Sequence, residues 1–346
     1  MTIEVRVANN DDLEKWDQLV NDSPHGTIFH TIKWLVIAEK HTKSKLYPLI
    51  GFKGNKIVGI FPIFYQKKFG QKLVFSPPPH TAIPYLGPIL IDYDNLKQSK
   101  KESIFTEFQE KVDEFINTNI KPNYVLIKLV PWILDSRPFK WNGYKVEPIY
   151  TYFINLNDGL DNVWKQFKKQ LRKNINNAKN ANIYVRDGFQ DDLGHIYNDL
   201  LKRYKEQDRI LSISKKYISD LYDSFYPKNF RLFVAENNKE FLSGIIVVIY
   251  KDKLSIWIGA STTKLKGLYP NDLLQWEIIK WANSNGLQYC EIIGANNPKI
   301  SYFKSRFNPR LEVYFSAKKS SFLVKCYENF YLRVIKPIKT RTTIFR

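Results

Sequence analysis

The sequence predicts an α+β protein made of two units, each with helices first, hairpin strands next and a helix between the final strands. Its 346 residues are roughly twice the length of a typical ~150-residue domain. A hydrophobic fraction of 44% with 15% aromatic residues can supply packed cores. The same order of predicted elements occurs twice, although no strong internal sequence repeat accompanies it. We therefore expect two domains, residues 1–150 and 151–346.

In the first unit, alternating apolar residues predict strands and amphipathic runs predict helices. Lys53, Gly54 and Asn55 favour a hairpin turn. The prolines between Ser76 and Leu90 exclude regular structure there because they remove N–H donors and fix φ. The predicted strands are Ile3–Val7, Leu46–Phe52, Lys56–Gln66, Lys72–Phe75 and Tyr124–Leu129, and the predicted helices are Asp11–Asn21, Thr31–His41 and Lys100–Asn117.

The second unit starts with a strand at Thr151 and continues with a long amphipathic helix over Leu160–Ala181. Further helices are expected at Asp191–Gln207, Lys215–Tyr222 and Leu273–Ala282. The expected strands are Phe230–Glu236, Glu240–Tyr250, Lys253–Gly259, the run beginning Tyr289-Cys290-Glu291, and Leu311–Phe315.

The composition is strongly basic, with 53 Lys and Arg against 34 Asp and Glu and a formal net charge of +19. Such a charge favours nucleic acid, anionic lipid or a sugar-nucleotide diphosphate as partner, or it reflects a generally basic proteome. Two cysteines exclude a disulfide framework and a Cys-rich zinc site. The polar N-terminus predicts no signal peptide, and no apolar run approaches the ~20 residues of a membrane-spanning helix. We expect a cytoplasmic protein.

The stretch from Trp257 to Phe307 carries most of the functional information. It predicts a strand, a loop, a helix and a second strand, followed by Lys304 among aromatic residues. A helix N-terminus beside two strand ends can hold a carboxylate, a phosphate or a developing oxyanion, which indicates group transfer. Asn271 or Asp272 is the expected helix cap. The histidines have no metal-ligand spacing, and the motifs of serine hydrolases, P-loops and dinucleotide sites are missing, so we expect neither a metal nor an organic cofactor.

Several segments occur in the order typical of one enzyme family: TIFHTIKW, VGIFPIF, VWKQFKKQLRKNINNAKN, GAS, YPNDLLQWEIIKWA and YFKSRF. In these segments the sequence resembles the Fem-type transferases of the GNAT superfamily. The resemblance covers most of the chain. It implies two tandem GNAT-like domains, with mixed central sheets flanked by helices.

The resemblance also implies an activity, which is transfer of an amino acid from aminoacyl-tRNA to an amine of a nucleotide- or lipid-linked cell-wall peptide precursor. Relatives of the same architecture move acyl groups, so an acyl-coenzyme A-dependent N-acyltransferase acting in exopolysaccharide or lipid-linked glycan synthesis is the alternative. A basic nucleic-acid- or membrane-binding module with a degenerate site is a third. The chain departs from the family pattern where Phe307 is followed by Asn308, Pro309 and Arg310 rather than glycine, and it shows no long helical-hairpin insertion.

Phe303 and Lys304 match the phenylalanine and the lysine of the family's FK element, and the match implies that Phe303 binds substrate. The match implies that Lys304 stabilises the negative charge of the transition state or contacts the tRNA acceptor end, and an exposed lysine on a turn is the alternative. Arg172 belongs to the basic face of the helix over Leu160–Ala181. That face could contact phosphates or could simply be solvated.

The remaining candidates are expected to bind substrate. Matches to the family's acceptor groove imply roles for Trp34, Tyr85, Arg209 and Tyr217, with core packing or a salt bridge as the ordinary alternative. Tyr269 and Asn271 lie in a turn that retains only Gly267 of a coenzyme A-binding loop, which argues for a bulkier donor. The basic, aromatic C-terminal tail could lie on an anionic membrane or pack on the second domain.

Overall fold

A computed structural model describes residues 2–261, 265 and 267–321 of the chain. The strands are β1 (Ile3–Val7), β2 (Lys45–Lys53), β3 (Lys56–Lys68), β4 (Gln71–Ser76), β5 (Ile89–Leu90), β6 (Tyr124–Lys128), β7 (Lys145–Asn155), β8 (Tyr184–Gly188), β9 (Phe230–Asn237), β10 (Glu240–Tyr250), β11 (Lys253–Ser261), β12 (Tyr289–Ile292) and β13 (Arg310–Ser320). The helices are α1 (Asn10–Asp22), α2 (Ile32–Thr42), α3 (Gln98–Asn119), α4 (Arg137–Trp141), α5 (Leu160–Gln166), α6 (Lys169–Asn180), α7 (Asp192–Glu206), α8 (Lys215–Phe225), α9 (Pro270–Ser284) and α10 (Pro298–Lys304). Within the described part, none of them is both long and apolar enough to cross a bilayer. The C-terminal tail, with its predicted membrane contact, lies outside the described residues.

The strands form one mixed sheet in the order β1-β2-β3-β4-β6-β13-β7-β12-β11-β10-β9-β8, with β5 beside β3. Strands β1, β2, β3, β4 and β6 make a first half-sheet, and β8 to β12 make a second. Each half-sheet has an antiparallel meander followed by one parallel pair, β4 with β6 and β11 with β12. The chain between the strands of each parallel pair contains a long helix, α3 or α9. The predicted α+β fold, with a mixed sheet and flanking helices, is confirmed.

The two half-sheets exchange a strand at the centre. Strand β7 follows the first half-sheet in sequence but pairs with β12 of the second. Strand β13 follows the second half-sheet but pairs with β6 of the first, and β7 and β13 also pair with each other. The predicted boundary between residues 150 and 151 therefore falls inside β7. The division into two domains stays a prediction.

The helix predicted over Leu160–Ala181 is wrong as one element, because the chain breaks into α5 and α6 at Phe167 and Lys168. Both residues have extended backbone angles, with ψ of 143° and 138°. The Phe167 ring is buried against Trp276 and Phe307. We attribute the break to this burial together with the hydrogen bond from the Lys168 N–H to the Arg306 carbonyl.

Four elements were missed by the sequence analysis. The exclusion of regular structure from Ser76–Leu90 is wrong at its end, because Ile89 and Leu90 form β5 and pair with β3. Strand β8 lies at the edge of the sheet and only its last residue, Gly188, is buried, so its apolar pattern is weak. Helices α4 and α10 have only five and seven residues. A signal for α10 exists in the sequence, since Asn297 caps the N–H groups of Lys299 and Ile300 and Pro298 follows it.

Two hydrophobic clusters fill the molecule. One belongs to the second half-sheet and packs α6 and α9 on it. The other joins the first half-sheet to α7 and α8 of the second half. Trp34 of α2 shows this junction, because its ring packs 5.2 Å from Phe225 and 5.4 Å from Trp257. The halves thus share a core beside the cavity described next.

Candidate active site

A cavity of about 1350 Å³ lies where β11 and β12 separate. The last residues paired between these strands are Ile256 and Ile292, after which β11 continues to Ser261 beside β10 and β12 ends. Apolar side chains of Ile256, Ile258 and Ile293 line the cavity together with the first turn of α9. This geometry leaves a gap in the sheet at which a helix N-terminus and two strand ends meet.

Helix α9 begins at Pro270, with Tyr269 as N-cap and no side-chain capping bond. The predicted start at Leu273 and the predicted cap at Asn271 or Asp272 are therefore wrong. Proline suits the first helical position because its missing N–H would have no partner there. The Asp272 carboxylate is instead held by Asn174 Nδ2 at 2.8 Å and by Arg306, whose Nη1 and Nη2 donate at 3.2 and 2.8 Å.

Lys304 ends α10 and lines the cavity. Its ammonium donates a hydrogen bond to the carbonyl of Ile293, the residue after β12. Gly294 has a φ of +102°, and a Cβ there would lie 3.3 Å from the Lys304 Nζ. Burial lowers the Lys304 pKa to about 8; the charge of Glu291 opposes this shift and that of Arg203 adds to it. The site therefore places an ammonium group directly beside the gap between the strands.

Five of the predicted site residues come together around this cavity: Lys304, Phe303, Arg209, Tyr269 and Asn271. Tyr269 is 49% exposed at the start of α9. The Arg209 guanidinium lies 5.1 Å from the centre of the Tyr204 ring. Aromatic faces and cationic groups thus occur side by side along the cavity.

The other four candidates lie elsewhere. Trp34, Tyr85 and Tyr217 are at most 1% exposed, so their side chains belong to the interior rather than to the lining of the cavity. Burial raises the pKa of the Tyr217 hydroxyl. Arg172 lies partly exposed on α6, also outside the cavity lining. Direct substrate contact by these four residues stays a prediction.

A buried carboxylate, Glu291, was missed by the sequence analysis. It is 0% exposed and accepts hydrogen bonds from Tyr85 at 2.7 Å, Ser255 at 2.8 Å and Thr151 at 2.9 Å. Lys253 Nζ lies 3.5 Å from it. An acidic residue inside the apolar run of β12 was the available signal, because a buried charge needs partners.

The segment between β4 and β5 reaches the cavity. Ala82 of this segment lines the cavity, and its carbonyl accepts a 2.8 Å hydrogen bond from Trp257 Nε1. The first half of the molecule therefore contributes one lining residue to a cavity that is otherwise built from the second half.

Chemically, the arrangement combines an apolar floor with several cations, Arg203, Arg209, Lys299 and Lys304. It can bind an anionic group and stabilise negative charge that develops on a carbonyl oxygen near Lys304. Within the described ranges, no cluster of histidine, cysteine and acidic residues could hold a metal ion.

Comparisons with known proteins agree with this geometry. Residues 165–305 match the family described as "Acetyltransferase (GNAT) domain". No curated protein sequence shows significant similarity to the chain. The solved structure of FemX aligns with a TM-score of 0.68 and 15% identity over 90% of this chain and 96% of that one.

Two further solved structures share the fold. The C-terminal domain of a putative lysylphosphatidylglycerol synthetase from Agrobacterium fabrum aligns with a TM-score of 0.54 and 11% identity, over 94% of this chain and 98% of that one. A tandem GNAT protein from the clavulanic acid biosynthesis pathway aligns with a TM-score of 0.53 and 9% identity, over 91% and 98%. The chain has a tandem GNAT fold, and the resemblance to Fem-type members of the GNAT superfamily is confirmed at the level of the fold.

Proposed function

We propose that this protein is a transferase that moves an aminoacyl group from aminoacyl-tRNA to an amine of a cell-wall peptide precursor. The observation that carries the proposal is the position of Lys304, whose ammonium is held by the Ile293 carbonyl where β11, β12 and the N-terminus of α9 meet. At this point an ester carbonyl can meet both an attacking amine and a positive charge.

In the reaction, the neutral amine nitrogen attacks the carbonyl carbon of the aminoacyl ester. A C–N bond forms, and negative charge develops on the carbonyl oxygen. One N–H of Lys304 is occupied by Ile293, which leaves two to stabilise that oxygen. The C–O bond to the ribose then breaks, and the leaving oxygen takes up the proton that the amine loses.

The size and charge of the cavity support two large anionic substrates. Its volume of about 1350 Å³ exceeds the roughly 300–1,000 Å³ of ordinary small-molecule pockets. Arg203, Arg209 and Lys299 along its lining suit phosphate groups of a nucleotide- or lipid-linked acceptor.

A second basic surface, the α5–α6 face, suits the backbone of tRNA, and its Lys168 Nζ lies 5.5 Å from the Tyr302 ring on α10. It comprises Lys165, Lys168, Lys169, Arg172 and Lys173. The fold shared with FemX and with a lysylphosphatidylglycerol synthetase supports an aminoacyl rather than an acetyl donor. We place the protein in the cytoplasm, where it meets charged tRNA, with peripheral contact at the inner membrane face.

The test supplies the full chain with total tRNA charged with the standard amino acids and with two acceptors, a UDP-linked and a lipid-linked muramyl pentapeptide that carries lysine. Mass spectrometry of the acceptors identifies any added residue. We expect one aminoacyl addition, and Lys304→Ala should lower kcat by about 10²–10³-fold. Lys67→Ala, an exposed lysine of β3 outside the cavity lining, is the control and should retain kcat.

The competing reaction is tested in the same assay with acetyl-coenzyme A as donor. Acetyl transfer to a polysaccharide amine without any transfer from charged tRNA would overturn the proposal in favour of an acyl-coenzyme A enzyme. Binding of charged tRNA without transfer to either acceptor, unchanged by Lys304→Ala, would instead indicate a binding module.

A further inference from the structure

Gln275 is a polar side chain in an otherwise apolar part of the cavity. It is 3% exposed and lines the cavity, and its Oε1 has no hydrogen-bond partner among the residues that the structure describes. The strands beneath α9 contribute Ile245, Ile256 and Ile258 to the same cavity. An unpaired amide oxygen in a protein interior costs about 1–3 kcal/mol, so its presence needs an explanation.

The neighbouring carboxylate is already held by other side chains. Asp272 lies one turn before Gln275 on α9, and both of its oxygens are engaged by Asn174 and Arg306. The lining cations Arg203 and Lys304 offer hydrogen-bond donors only. A substrate N–H that enters beyond the first turn of α9 therefore meets Gln275 as an uncharged acceptor.

We propose that Gln275 Oε1 accepts a hydrogen bond from the α-amino group of the aminoacyl donor and thereby selects an aminoacyl group over a plain acyl group. This inference rests on the proposed function. The α-amino nitrogen is separated from the ester carbonyl carbon only by Cα, so a carbonyl held near Lys304 carries this nitrogen into the same cavity. The terminal amide of glutamine has a broad torsional preference, which allows Oε1 to turn toward the bound group.

The chemistry of the amide suits this role. An amide oxygen accepts from an amine in either protonation state. It also adds no negative charge that would compete with the oxyanion for Lys304. A donor without the α-amino group would leave Oε1 unpaired, and a cost of about 1–3 kcal/mol corresponds to roughly 5–150-fold in kcat/KM.

The experiment compares two donors on an acceptor-stem minihelix. One carries the amino acid identified in the assay above, and the other carries its analogue with hydrogen in place of the α-amino group. The wild type should prefer the aminoacyl donor by at least about fivefold in kcat/KM. Gln275→Met, which keeps the side-chain length and removes the acceptor, should bring the ratio close to one. Gln275→Glu retains an acceptor oxygen and should keep the preference.

Each result decides the assignment. A wild-type enzyme that uses both donors equally overturns it without the need for any variant. A Gln275→Met enzyme with the wild-type ratio also overturns it, while continued aminoacyl transfer leaves the proposed function standing. Failure of every charged tRNA to support transfer overturns the proposed function, and this assignment with it.

Discussion

The Tyr85 hydroxyl donates a 2.7 Å hydrogen bond to Glu291 across the two halves of the molecule. Tyr85 belongs to the segment between β4 and β5, and Glu291 belongs to β12. The same hydroxyl accepts a 3.0 Å bond from Lys253. Burial raises the pKa of Tyr85 well above its usual range, so the phenol stays protonated and remains a donor. We infer that this bond positions the segment that brings Ala82 to the cavity.

Tyr85→Phe should therefore destabilise the protein by about 1–3 kcal/mol, because it leaves a buried carboxylate with one donor fewer. It should also raise the KM for the acceptor more than it lowers kcat, since the cavity wall shifts while Lys304 stays in place. Urea unfolding and steady-state kinetics measure the two effects.

The matched control is Tyr65→Phe on β3, a partly buried tyrosine outside the cavity lining. It should leave both the stability and the KM near their wild-type values. A kcat loss in Tyr85→Phe as large as that in Lys304→Ala would contradict a positioning role for Tyr85.

The Arg306–Asp272 ion pair should be strongly coupled. Asp272 is 1% exposed, and Arg306 binds both of its oxygens. Arg306→Met leaves an uncompensated buried charge and should cost about 3–5 kcal/mol. Adding Asp272→Asn should restore part of that loss, because the charge is gone. If the two substitutions change the free energy of urea unfolding additively, Arg306 and Asp272 are not energetically coupled.

The pH dependence of activity should report Lys304. Its pKa of about 8 means that the ammonium, and with it the stabilisation of the oxyanion, is lost as the pH rises through that value. Lys304→Arg keeps its charge, so its alkaline decline in kcat should shift to higher pH. A decline at the same pH in both proteins would show that another group controls it.

Titration of Lys304 should also change the stability of the folded protein, which should increase with rising pH while the activity falls. Between pH 8 and the usual lysine pKa of about 10.4, Lys304 binds fewer protons in the folded than in the unfolded state. The free energy of unfolding should therefore rise over this window relative to Lys304→Met. Chemical denaturation at several pH values measures the difference.

The α5–α6 face should control affinity for charged tRNA rather than the chemical step. Charge reversal at Lys169 or Arg172 should raise the KM for tRNA, with kcat unchanged. Each lost phosphate contact should reduce the salt slope of log K by about one. Lys67→Glu, on an exposed part of β3, is the control. Equal effects at the control site would show that net charge alone is responsible.

Local sequence patterns predicted most of the elements around the candidate site. The alternation in β11, the apolar period of α9 and the short apolar run of β12 are local signals, and they bring Lys304 to the end of the sheet at which β11 and β12 separate. The break at Phe167 and Lys168 escaped prediction because no glycine or proline marks it and the apolar stripe continues across it. A helical period in the sequence cannot reveal that the Phe167 ring packs against Trp276 and Phe307 where the backbone leaves the helical conformation.

The fate of the buried aromatic residues depended on partners far away in sequence. Tyr85 has Glu291 as its partner, 206 residues away, and Trp34 packs against Trp257. Neither contact has a local signal. An aromatic residue in a proline-rich loop suits a substrate groove and a core equally well. Such long-range contacts decide which aromatic residues line the cavity and which are buried in the core next to it.

The central position of β13 has a consequence for biosynthesis. Until residues 310–320 leave the ribosome, β6 and β7 each lack the neighbour that β13 provides, and unpaired strands of this kind invite association with other chains. Hydrogen bonding of the sheet can thus be completed only after nearly all of the described chain has been translated. A nascent polypeptide that stalls before Arg310 should be a substrate for chaperones.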